Sequence, residues 1–150
     1  MSRPGPQPKS WGQQVGALKA NWPGGVIAAR GHDICWNGRL TPSPISPSYL
    51  IEVRYDFRGH PKVAVLDPPL QPTEEGWIPH VYLDTGTVCL ALPHEWNPSL
   101  LIAKTTVPWT STWLYYYEGW QATGQWHGGG TLHGVPERLR GIVEPSIAAA

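Results

Sequence analysis

Residues 78–102 hold the side chains best suited to chemistry: His80, Tyr82, Cys89 and Asn97, within Ile78-Pro79-His80-Val81-Tyr82-Leu83-Asp84-Thr85-Gly86-Thr87-Val88-Cys89-Leu90 and Trp96-Asn97-Pro98, and His94 between the two stretches. Cysteine is the side chain best able to hold an acyl group as a thioester, which keeps that group activated for transfer. An ordinary free thiol, with a pKa of about 8.5, is mostly protonated at neutral pH. The stretch contains no Lys or Arg to draw a thiol toward thiolate. Such a sulfur suits thioester exchange better than peptide-bond attack. Transfer of the acyl group to an amine passes through a tetrahedral oxyanion, which requires hydrogen-bond donors nearby.

Each of these residues also has a simpler reading. A lone cysteine in a globular chain is commonly a small buried hydrophobe, and Cys35 reads that way. Trp96 and Pro98 read as packing beneath the loop. Cys89 with His94, His127 and His133 makes a poor zinc set, with one thiolate and irregular spacing. The glycine run 128–130 is not a phosphate loop, because no Lys-Ser or Lys-Thr follows it. No metal or cofactor is expected.

The elements that must position Cys89 are legible on either side of it. Ser10 is a suitable N-cap, and Trp11, Val15, Leu18 and Trp22 follow at helical spacing until Pro23-Gly24-Gly25. Residues 26–30 have no clear pattern and read as undefined, with a further helical turn as one option. Residues 33–40, 49–57 and 62–66 read as strands of an antiparallel meander. In the middle one Tyr49, Ile51, Val53, Tyr55 and Phe57 alternate with polar positions, as in a strand with one buried face. A Pro-rich loop spans 67–75, and residues 76–99 lack regular periodicity. Helical signals return at 100–107 and again at 109–120, with Pro108 opening or kinking the second piece. Trp109, Trp113, Tyr116 and Trp120 form a stripe that reads as core, and Gly124 ends it. The expected organisation is a disordered arm at 1–9, one domain over 10–127, and a flexible tail at 128–150.

With 150 residues, 41% of them hydrophobic, the chain supports one core without a staple. Eleven basic residues balance eleven acidic ones, which argues against nucleic acid as a partner. No apolar run of about 18 residues is present, so no membrane span is expected. Two cysteines and no secretory signal at the N-terminus point to the cytoplasm with free thiols. Nine Trp and 17 Pro imply large aromatic anchors and long ordered loops.

In its central motif the chain resembles ubiquitin-conjugating enzymes. His80, Gly86, Val88-Cys89-Leu90, Trp96-x-Pro98 and Leu101-Ile102 fall in the order of that family's active-site segment, and the resemblance covers roughly residues 10–120. More narrowly, Pro108-Trp109, Trp113-Leu114, Tyr117-Glu118, Trp120, Thr123-Gly124, Trp126 and the glycine run resemble the stand-alone prokaryotic conjugating enzymes of antiphage cyclic-oligonucleotide (CBASS) operons. The resemblance implies an α+β, UBC-like fold: an N-terminal helix, an antiparallel meander of three to four strands, a long active-site loop and C-terminal helices. It implies that Cys89 takes the C-terminus of a partner protein as a thioester and passes it to an amine. The partner would be a cGAS-like nucleotidyltransferase or a ubiquitin-like modifier, with an activating enzyme as a possible supplier.

The family's turn carries an Asn two residues after the His, where this chain has Tyr82. That role falls to Tyr82, to a backbone N–H, or to Asn97. His80, Trp96 and Pro98 support the loop. Two other functions remain open on the residues alone: a catalytically silent binding module on the same fold, and a cysteine hydrolase using His80 or His94 as base.

Overall fold

In the computed structural model, residues 5–82, 84–90 and 95–128 are described; the expected tail beyond Gly128, with His133, and also His94 lie outside them. The fold is α+β. A helix α1 (Trp11–Asn21) precedes four strands, β1 (Val26–Arg30), β2 (Asp33–Leu40), β3 (Tyr49–Tyr55) and β4 (Lys62–Asp67). A two-stranded hairpin follows, β5 (Val81–Tyr82) and β6 (Thr87–Val88), then a 3-10 turn (Ile102–Lys104) and helix α2 (Thr106–Thr123).

Ser10 caps α1 as its residue type suggests. Its Oγ accepts the Gln13 N–H at 3.1 Å, and the Gln13 side chain accepts the Ser10 N–H at 2.9 Å. Val15 and Leu18 are buried on the inner face. The sequence left one residue of that face unread: Gln14, fully buried. Its amide donates to Leu100 O and accepts from Ile102 N–H, both at 2.9 Å, so α1 grips the loop leading to α2. Trp22 ends the helix and donates its indole N–H to Ala103 O at 2.8 Å.

The four strands form an antiparallel sheet in the order β1-β2-β3-β4. Residues 26–30 are therefore a strand and not a turn of helix. They lack alternation because β1 is an edge strand, and Gly31, at φ +63°, turns it tightly back into β2. Across β2, β3 and β4 the register aligns Trp36, Val53 and Val63 on one face and Cys35, Arg54 and Lys62 on the other. The first set is buried at 1% exposure or less, which places the core on that side against the helices. The strand expected to reach Phe57 stops at Tyr55, because Phe57 adopts φ +64° in the turn that follows.

Helical structure at residues 100–107 is reduced to the short 3-10 turn, and α2 begins at Thr106, two residues before Pro108. Proline is tolerated in that first turn, whose N–H groups have no helical acceptor in any case. Of the aromatic stripe, Trp113 and Trp120 are buried in the core, whereas Trp109 and Tyr116 are half-buried and pack against it. Gly124 ends α2 in the left-handed conformation, φ +78°. The Pro-rich loop is tied down by α2: the Tyr117 hydroxyl accepts the Gln71 N–H at 2.7 Å, and Gln121 donates to Gln71 O at 2.8 Å.

Several phenols sit in this core. Burial, followed by the charge of Glu118, holds the Tyr49 hydroxyl above the ordinary tyrosine range. Burial likewise raises Tyr55 and Tyr117. Groups whose folded values are raised contribute stability that is complete below the unfolded value, about pH 10. That contribution is lost as pH climbs through the raised values. Urea denaturation should therefore show a midpoint that falls with increasing pH above about 10.

Candidate active site

The segment that carried no periodicity contains a small hairpin built on strict alternation. Val81 pairs with Val88 and Tyr82 with Thr87. Val81 and Val88 face inward, at 3% and 6% exposure, and anchor the hairpin in the core. A strand's period of two then sends Tyr82, Thr87 and Cys89 to the opposite, solvent side. Gly86, at φ +70°, closes the turn, and its N–H donates to Tyr82 O at 2.7 Å.

At the open end of the hairpin the Cys89 N–H donates to His80 O at 2.7 Å. His80 is itself in the left-handed region, φ +54°, a conformation that costs a non-glycine residue on the order of 1 kcal/mol or more. Its imidazole is buried at 3% exposure and lies 4.9 Å from the ring of Trp126, which is 2% exposed. Trp126 in turn meets Trp113 at 5.5 Å and Tyr116 at 6.1 Å, so the segment after α2 packs behind the loop. His80 thus touches the backbone of Cys89 through its carbonyl, and its ring is not among the groups that line the pocket around Cys89.

That pocket has a volume of about 340 Å³, small for a ligand site. Cys89 is half-buried in its wall, and the Tyr82 hydroxyl, on a 43% exposed side chain, donates to Cys89 Sγ at 3.4 Å. The Tyr82 phenol is pushed up to about 12, first by that hydrogen bond, then by burial and by the charge of an ionised Cys89. It therefore stays protonated across the neutral range and acts as a donor.

Of the other residues singled out from sequence, Trp96 lines the pocket. It is buried, donates its indole N–H to Thr105 Oγ1 at 3.2 Å, and meets Tyr55 edge-on at 5.3 Å. Asn97 and Pro98 do not line it. Asn97 is exposed and its side-chain oxygen accepts both the N–H and the hydroxyl of Ser99, so it caps a turn. Pro98 is exposed rather than packed beneath the loop, and its carbonyl accepts the Lys9 N–H at 2.8 Å.

The residues missed are the opposite wall: His60, Pro61 and Lys62 at the start of β4, with Thr106 and Trp109 from the first turn of α2. No local pattern links them to Cys89; sheet register and the docking of α2 bring them there. Cys35 is half-buried on the outer face of the sheet, in a separate pocket of about 500 Å³, with the Asn37 side chain donating to its sulfur at 3.6 Å. Among the described residues no helix is long and apolar enough to cross a membrane.

No curated protein matches the chain. A family model described as "Type II CBASS E2 protein" matches residues 14–134, which include most of α1, the sheet, the hairpin before Cys89 and all of α2. With most of its length under that match, this chain belongs to the type II CBASS E2 protein family.

Proposed function

We propose that the protein is a ubiquitin-conjugating-like acyl carrier of antiviral defence, in which Cys89 accepts the C-terminal carboxyl of a partner protein as a thioester and passes it to an amine. Membership in the family gives the conjugation-like, antiviral setting. The observation that carries the chemistry is the pairing of Cys89 Sγ with the Tyr82 hydroxyl at 3.4 Å in a solvent-facing pocket. The partner we infer is a cGAS-like nucleotidyltransferase acting in the cytoplasm.

In this reading the thiolate of Cys89 takes the acyl group from an activated donor. An amine then adds to the thioester carbonyl, and the carbonyl oxygen becomes an oxyanion. Tyr82 is the donor best placed to stabilise it, because its O–H is protonated and already directed at the sulfur. Tyr82 thereby takes the place of the Asn expected two residues after His80. Asn97 does not line the pocket and is not a candidate on this geometry. His80 and Trp96 hold the loop and the pocket wall.

The test is intact-mass analysis, or a non-reducing gel, of the protein with its loaded partner. An adduct on Cys89 that dithiothreitol cleaves supports the reading, and its absence with a competent donor overturns it. Tyr82→Phe should slow acyl transfer to a free amine by roughly 10²-fold, the scale of losing one oxyanion donor. A rate in Tyr82→Phe equal to that of the natural protein would assign oxyanion stabilisation to a backbone N–H instead.

A further inference from the structure

A lysine as well as a thiol lines the pocket around Cys89. The chain has four lysines, Lys9, Lys19, Lys62 and Lys104, and Lys62 alone of these lines the Cys89 pocket. Lys62 opens β4, an edge strand, and its side chain is exposed. Neither ion pair of the described residues involves it: Arg39 pairs with Asp67 at 3.9 Å and Arg54 with Glu52 at 2.7 Å. It also borders the outer pocket on the sheet's far face, together with His60, so its long stem lies on the ridge between the two pockets.

We propose that Lys62 is a self-acylation site: in the loaded protein its amine competes with the external acceptor for the acyl group on Cys89, giving an amide on the pocket wall. The proposal rests on the carrier reading above and adds a second fate for the loaded protein. The neutral Lys62 Nζ adds to the thioester carbonyl, the C–S bond breaks, and Cys89 leaves as thiolate. The proton shed by nitrogen returns the sulfur to thiol, so thioester plus amine become amide plus thiol with no other reactant. A reaction between two groups lining one pocket is intramolecular and is favoured by effective concentration. The resulting amide resists thiols and obstructs the pocket, so a chain acylated in this way is withdrawn from further transfer.

The full chain is charged with a synthetic peptide thioester ending in glycine, which exchanges onto Cys89 without any activating partner. Loading at about pH 6 keeps alkylamines protonated; a step to about pH 8.5 then raises the reactive fraction of any alkylamine about tenfold per unit. The expected course is a dithiothreitol-labile adduct that converts to a resistant one of the same mass. The rate should be first order and independent of protein concentration, and tryptic mapping should place the amide on Lys62. Lys62→Arg keeps the cation without a nucleophilic amine and should reduce the resistant product at least tenfold. Cys89→Ala should yield none.

Three results overturn the proposal alone: a thioester that only hydrolyses, an amide on another lysine or the terminal amine, or an undiminished rate in Lys62→Arg. If no labile adduct forms on Cys89 in the first step, the carrier reading falls and self-acylation falls with it.

Discussion

Cys89→Ala should reduce adduct formation to background, a loss of about three orders of magnitude or more in transfer. The substitution removes one half-buried sulfur and leaves the rest of the pocket in place. Its cost in stability should be about 1 kcal/mol or less, within the range of substitutions away from the packed core. A loss of activity at unchanged folding therefore isolates the nucleophile. Cys89→Ser sharpens the test. A serine hydroxyl is far less acidic than a thiol, so its acylation is slow, and the resulting ester survives dithiothreitol. A resistant adduct in Cys89→Ser and a labile one in the natural protein identify the acylated atom by chemistry and not by mass alone. The second thiol provides the control. Cys35 sits on the outer face of the sheet with Arg54 and Lys62 in register beside it, and Cys35→Ser should keep the labile adduct. A labile adduct that persists in Cys89→Ala and disappears in Cys35→Ser would place the chemistry on the wrong face of the sheet and end the proposal.

The second large effect lies in the core. Gly38→Ala should destabilise the fold by about 3 kcal/mol, with a Tm lower by roughly 10 °C. A Cβ at Gly38 would stand 2.3 Å from two ring carbons of Trp36, whose side chain is 1% exposed. The same indole lies across Gly25, where a Cβ would be 2.2 Å from the Trp36 ring nitrogen. Trp22 packs edge-on to it, with ring centroids at 6.5 Å. The ring covers two glycines, and an added methyl forces it off the strand into a packed core. Gly16 gives the contrast, since it lies in α1 with open space where a Cβ would go. Gly16→Ala should raise stability by roughly 0.5–1 kcal/mol, the helix preference for alanine. Urea denaturation of the two variants decides the matter: equal effects would mean that Trp36 has room to move.

Much of this protein was legible in one dimension because the relevant forces are local. A capping serine, a helical period ended by Pro-Gly-Gly, and strict alternation through Tyr49, Ile51, Val53 and Tyr55 each reflect backbone geometry meeting a buried face. Cys89 stood out for the same reason, as a thiol inside a recognisable run of residues. β1 was not legible, since an edge strand of small residues needs no alternation and is defined only by its pairing with β2. Asn97 was a reasonable oxyanion candidate by type, and only the folded structure shows that it does not line the Cys89 pocket.

The opposite wall of the site belongs wholly to tertiary structure. The register of β4 and the docking of α2 bring His60, Lys62 and Trp109 to Cys89, and no local pattern encodes either. By itself the sequence determined most of the helices and strands, the candidate nucleophile and the family resemblance. The tertiary structure decided the company that Cys89 keeps: the Tyr82 hydroxyl at its sulfur, Trp126 packed behind His80, and a lysine lining its pocket. The physical reason is that hydrogen-bond and hydrophobic periodicities act over a few residues, whereas a pocket is made by elements that meet only after the core has formed.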